Sequence, residues 1–199
     1  MSWSLSSTDR SWRDHAVSAA KRKPRNKSAY SMESFAARAN EAAFWEAWVG
    51  AVLARCGLYT VHHPFTVAQT MGETHAYAQT WDMDVSECHP SEWEYSPPTE
   101  TEVKSLSLTF TMPDDYPHDE VLVCSAKNHG KKYGKDAGMS GRDFLLVSRA
   151  TGAIVWVPRG TCMFQKEVTD NERGQTYMAM ACKREDLRAL KSYVQAICR

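Results

Sequence analysis

The sequence predicts an α/β domain, a central mixed β-sheet flanked by helices near residues 31–56 and 183–198. Three observations predict it. Apolar residues recur at helical spacing in those two end segments. Period-two alternation and short apolar runs fill the interval between them. Proline, glycine and aspartate clusters then cut that interval into strand-length pieces. At 199 residues, 43% of them apolar, the chain suits one domain with a substantial core.

Residues 1–30 read as a flexible basic arm, Ser-rich and then basic from Lys21 to Lys27 around Pro24. Such an arm can track a nucleic-acid backbone or be a neutral tail. Residues 31–199 form the single domain. Its first helix opens at Ser31, which can cap it, and stops at Gly57. Trp45, Val49, Val52, Leu53 and Cys56 make its apolar stripe, with Glu46 at the stripe's edge. Residues 58–67 form a strand bent by Pro64. In 76–86, Tyr77, Trp81, Met83 and Val85 face one way and Thr80, Asp82 and Asp84 the other. A polar connection leads to a strand at 101–111, with Glu102, Lys104, Leu106, Leu108 and Phe110 on one face. The nearly continuous apolar run 120–127 predicts a strand buried on both sides. After a Gly/Lys-rich loop at 128–143, residues 144–149 and 153–158 read as a hairpin. Short strands near 161–168 and 176–182 precede the last helix, whose Leu187, Leu190, Val194 and Ile197 share a face.

Composition narrows the function. No run approaches the roughly 18 apolar residues of a membrane span, and the Met-Ser-Trp-Ser start carries no apolar stretch like a secretory signal. Six cysteines are scattered with no CxxC pair, which points to reduced thiols and a cytoplasmic location. The adjacent pairs His62-His63 and Cys88-His89 suit a single zinc poorly, because neighbours on a strand face opposite ways. The net charge is zero but segregated. Residues 1–30 hold seven Lys/Arg and residues 127–149 hold six, whereas residues 73–120 carry twelve Asp/Glu and one basic residue, Lys104. Cationic flanks around an acidic centre suit a metal-using enzyme with a polyanionic substrate. Charge alone favours two solvated patches and an acidic loop over that reading.

The acidic centre has a geometry. Asp84 lies near the end of one strand, and Glu102 and Lys104 lie near the start of the next. A hairpin across 87–100 brings the three to one end of the sheet. Hard oxygen ligands there suit Mg²⁺ or Mn²⁺, and a neighbouring lysine can orient water or stabilise a charged transition state. Asp84, then Glu102-Val103-Lys104, resembles the Asp…(Asp/Glu)-X-Lys signature of the restriction-endonuclease-like nuclease superfamily. The stretch TEVKSLSLTFTMPDDYP looks like phage-type members of it. The resemblance covers residues 31–127 and extends loosely to 158. It implies a restriction-endonuclease-like core and a metal-dependent nuclease acting on DNA. Asp84 and Glu102 are the implied metal ligands, Glu46 adds a carboxylate from the preceding helix, and Lys104 assists water. Asp82 is the alternative to Asp84, which is favoured for its place nearer the strand end. Lys127, Lys131, Lys132 and Lys135 are candidate phosphate contacts. A homodimer is compatible with cutting both strands. The rival expectations are a binding module with this fold but no turnover, and an interaction protein of a larger assembly.

Overall fold

The computed structural model describes residues 32–63, 81–126, 138–170 and 175–199. The basic arm 1–30 and Lys127, Lys131, Lys132 and Lys135 lie outside the described residues, as does the stretch 64–80.

Helix α1 spans Met32–Arg55. Trp45, Trp48, Val49 and Leu53 are its buried side chains. Gly57 ends it with φ 86°, its N–H donating to the Ala54 carbonyl at 3.0 Å while Leu58 N–H reaches Leu53 at 3.1 Å. These bonds satisfy carbonyls that the helix end leaves open.

Among the described residues nine strands follow: β1 (Tyr59–His62), β2 (Met83–Ser86), β3 (Thr99–Leu106), β4 (Glu120–Ser125), β5 (Asp143–Ser148), β6 (Ile154–Val157), β7 (Phe164–Asp170), β8 (Gln175–Lys183) and β9 (Arg188–Ala189). Six of them form a mixed sheet in the order β1-β2-β3-β5-β6-β9, and three form a second sheet in the order β4-β8-β7. The α/β class and the mixed central sheet are therefore as the sequence predicts. In the large sheet only β3 and β5 run parallel, with Glu102 opposite Phe144 and Lys104 opposite Leu146. The connection between β2 and β3 makes a 3₁₀ turn at Pro90–Glu92, and the two strands pair as the expected hairpin, Met83 opposite Thr101.

Two cores lie on opposite faces of the large sheet. On one face α1 and the closing helix α2 (Leu190–Ile197) pack with Met83, Val85, Val103, Leu145, Val147 and Tyr193. On the other, Phe144, Leu146, Val155 and Val157 meet Val121, Val123, Met180 and Cys182 of the small sheet. The expectation of a sheet flanked by helices is corrected here: both described helices share one face, and the small sheet covers the other. The strand buried on both sides is β5, all six residues of which are buried. β4 is not that strand, because it sits at the edge of the small sheet and only its alternate residues Val121 and Val123 are buried.

Two boundaries also move. β3 stops at Leu106 rather than at 111, where Arg149 N–H takes the Leu106 carbonyl and Ser148 Oγ takes that of Leu108. The last helix begins at Leu190 rather than at 183, because a 3₁₀ turn at Arg184–Asp186 and the short β9 come first. No described helix is long and apolar enough to cross a membrane. None of the six cysteines is in a disulfide.

Candidate active site

β2 begins at Met83, so among the described residues the edge of β3 beyond Thr101 has no neighbouring strand on that side. One side chain fills the gap. Asp82 donates its own N–H to the Thr101 carbonyl at 3.1 Å, and its Oδ2 accepts the N–H of Val103 at 2.7 Å. The aspartate clasps β3 on both sides of Glu102, its carboxylate standing in for a missing strand carbonyl. Buried backbone donors need such partners.

Glu102 is 5% exposed. Its Oε1 meets the Lys104 Nζ at 2.6 Å, the two side chains sharing a strand face as residues two apart must. Burial alone pulls the Lys104 ammonium toward deprotonation, but the Glu102 and Asp82 carboxylates outweigh it and its pKa is raised. Lys104 is thus a firm cation whose side chain keeps 35% of its surface open.

Glu46 approaches from α1. Its pKa is pushed up to about 7, first by burial and then by the Asp82 carboxylate, against a smaller opposing pull from Lys104. Asp82 is the hub of this field, since His62 also feels it: burial lowers the imidazole pKa, His63 lowers it further, and Asp82 opposes them. Asp82 is thereby coupled electrostatically to Glu46 and to Lys104, which pairs with Glu102, so the four belong to one field.

Asp84 has different company. Its Oδ2 lies 2.9 Å from His63 Nε2 and its Oδ1 accepts Trp81 Nε1–H at 2.7 Å. Arg142 stacks 4.6 Å above the Trp81 ring and pairs with Glu100 at 3.2 Å, the residue opposite Asp84 in register. These contacts form a half-buried polar and aromatic lattice in which the aspartate is an anchor.

Sequence reasoning missed two features. The clasp was invisible because strict alternation treats Asp82 and Asp84 alike. The second is the seat of His62, which the sequence shows only as half of an adjacent histidine pair, although a glycine inside the α1 stripe can signal a packing reason. A methyl group at Gly50 would overlap His62 Nε2 and stand 2.8 Å from its Cε1.

Among the described residues, no group of three or more His, Cys, Asp or Glu side chains is gathered as a metal site. A Mg²⁺ ion is commonly held by one or two carboxylates, with water and substrate phosphate completing its shell. Asp82 and Glu102 fit that requirement in number and in donor type, and the Asp82 carboxylate adds to the burial that raises the Glu46 pKa. The hollow lined by Asp114, Asp119, Lys183, Arg184 and Glu185 is built from other elements, and its Arg184 and Asp119 already pair at 3.0 Å. No family model, no curated protein and no solved structure matches this chain.

Proposed function

We propose that this protein is a Mg²⁺- or Mn²⁺-dependent nuclease that hydrolyses phosphodiester bonds in DNA, on a core of restriction-endonuclease type. The observation that carries the reading is the clasp, which sets Asp82 against β3 at Glu102, with the Lys104 ammonium 2.6 Å from the Glu102 carboxylate. Asp82 and Glu102 are the residues that would hold the metal. This reading assigns Asp82 the role first expected of Asp84, whose two oxygens are engaged by His63 and Trp81. When bound, the ion neutralises charge on the phosphoryl oxygens and acidifies its water.

The chain's own groups do the rest. Lys104, a cation with part of its surface open, meets the charge that grows on the phosphate oxygens as the nucleophile adds. Glu46, its carboxyl pushed up to about 7 near Asp82, can hold or release a proton close to neutral pH. The cationic segments at 1–30 and 127–149 give a polyanion its approach.

The test is cleavage of plasmid, linear single-stranded and four-way-junction DNA with Mg²⁺ or Mn²⁺. Wild type is compared with Lys104→Ala, Asp82→Asn and Asp84→Asn. Metal-dependent cutting that is lost in the first two variants, and reduced less in Asp84→Asn, supports the reading. Cutting that survives loss of Lys104 puts the site elsewhere. Binding without cutting in any metal makes the protein a nucleic-acid-binding module.

A further inference from the structure

The face of the large sheet that carries Glu102 and Lys104 continues toward β1. Residues directly opposite in an antiparallel pair point to one face, as do alternate residues along a strand. Val61 stands opposite Asp84, and Asp84 opposite Glu100, two residues before Glu102. Tyr59 stands opposite Ser86 in the next row of that face. Tyr59 and Val61 therefore share a face with Glu102 and Lys104, whereas Thr60 and His62 turn toward Gly50 of α1.

The small sheet packs elsewhere. Its inward residues Val121, Val123, Met180 and Cys182 meet β5 and β6, and among the described residues no β1 or β2 side chain joins that core. Tyr59 is left 44% exposed and Val61 37%. The His89 ring braces that of Tyr59, with centroids 5.3 Å apart and planes at 82°. Between these residues and Glu102, the charges are paired among themselves, Asp84 with His63 and Glu100 with Arg142. The open surface at β1 is thus aromatic and aliphatic, a chemistry that receives the flat face of a nucleobase rather than a phosphate.

The spacing suits a nucleic-acid strand. Strands about 4.8 Å apart, with about 3.4 Å per residue, put Val61 roughly 12 Å and Tyr59 roughly 17 Å from Glu102. DNA whose phosphate sits at Glu102 can therefore carry a neighbouring base over β1. In a duplex that base is paired and stacked, its faces covered by its neighbours. Only an unpaired strand can lay a base on Tyr59.

Resting on the nuclease reading, we propose that Tyr59, flanked by Val61, is a base-stacking subsite beside the cleavage site, which makes single-stranded DNA the substrate class. The experiment uses the full chain and a short single strand with 2-aminopurine among its bases, alone or annealed to its complement. Binding is read without metal from the quenching of 2-aminopurine as it stacks, and cleavage is then read with Mg²⁺ or Mn²⁺. Tyr59→Leu keeps apolar bulk at the sheet edge without a flat face, so it should melt with wild type. It should bind single strands about tenfold more weakly, with quenching lost. KM for their cleavage should rise as much, with kcat within a few-fold of wild type and duplex binding unchanged. Tyr59→Trp offers a larger flat face and should bind single strands at least as tightly as wild type, which keeps the test decisive if Tyr59→Leu melts lower.

Single-strand binding that Tyr59→Leu leaves intact overturns the subsite, as does a Tyr59→Trp protein that binds tenfold more weakly. An equal loss on duplex overturns it too, by making Tyr59 a general contact. A wild type that elutes as a larger species than Tyr59→Leu on gel filtration overturns it by making this face a contact between two copies of the chain. A wild type that cuts DNA but quenches no 2-aminopurine removes the subsite alone. One that quenches through Tyr59 yet cuts nothing in either metal removes the nuclease reading and keeps Tyr59 as the stacking site of a binding module.

Discussion

Replacing Asp82 separates what its carboxylate does for the fold from what its charge does for chemistry. In Asp82→Ala the Val103 N–H loses the acceptor it now has at 2.7 Å. A buried donor left without a partner costs about 1–3 kcal/mol, and the partial exposure of this bond puts the expected loss at about 1–2 kcal/mol. For a chain of this size that lowers Tm by about 2–8 °C. Asp82→Asn keeps an amide oxygen able to accept the same N–H, and it removes the negative charge that raises the Glu46 pKa. Its Tm should therefore stay within about 2 °C of wild type. Cleavage should fall in both variants, because both lack the charge. Thermal unfolding of the metal-free proteins and single-turnover cleavage of DNA read the two effects apart. An Asp82→Asn protein as unstable as Asp82→Ala would refute the reasoning, since the clasp would then depend on charge and not on the hydrogen bond. An Asp82→Ala protein as stable as wild type would refute it from the other side.

Glu46 gives a pH prediction. Its folded pKa of about 7 lies above the ordinary 4.5, so the folded state holds the proton more tightly. Stability from this group is intact below pH 4.5 and lost as the pH rises through about 7. Glu46→Gln should therefore melt higher than wild type at pH 8, by about 1–2 kcal/mol of stability after discounting for partial exposure, and little differently at pH 4.5, as a pH series of melts would show. Glu102→Gln weakens the partner of a Lys104 ammonium that is only partly open, and should cost about 2 kcal/mol in denaturant unfolding. The double variant Glu102→Gln/Lys104→Met should recover most of that, and failure to recover would mean that Glu102 is held by something other than the lysine. Asp84→Ala should cost about 1–3 kcal/mol by releasing Trp81 and His63, with a fall in indole fluorescence polarisation as the readout. An unchanged Tm would mean that the Arg142 stack alone fixes Trp81.

Much of the fold was legible because it depends on local pattern. The α1 stripe, the Gly57 stop, the 87–100 hairpin and the β5–β6 hairpin all follow from periodicity and turn residues close in sequence. What was not legible depends on partners. VLVC of β4 and FLLV of β5 are equally apolar, and only the topology decides that β5 enters the middle of the large sheet. Leu187 continues the spacing of Leu190, Val194 and Ile197, yet it is buried in the opposite core because the helix starts after it. The candidate site divides in the same way. Strand alternation puts Glu102 and Lys104 on one face, whereas Glu46 entered the candidate set through the family resemblance and not through its helix position. The preference for Asp84 over Asp82 rested on nearness to the strand end, and alternation cannot reveal an aspartate that turns its carboxylate onto a neighbouring strand's backbone.

The single parallel seam between β3 and β5 has a consequence for how the chain reaches its native state. On one side of it, β1, β2 and β3 pair antiparallel; on the other, β5 pairs with β6 across a short turn and β6 with β9. Each side can zip early at low loop-closure cost, but the seam joins Thr101 to Asp143 and cannot form until a long intervening segment has closed. Docking across it should be the slow event in refolding, and substitutions in β5, such as Leu145→Ala, should slow refolding more than equally destabilising ones in β7. The acidic cluster, drawn from residues 46 to 104, lies wholly on one side. Its clasp can close before docking, whereas the wall of β5 side chains behind Glu102 and Lys104 arrives only with the last step.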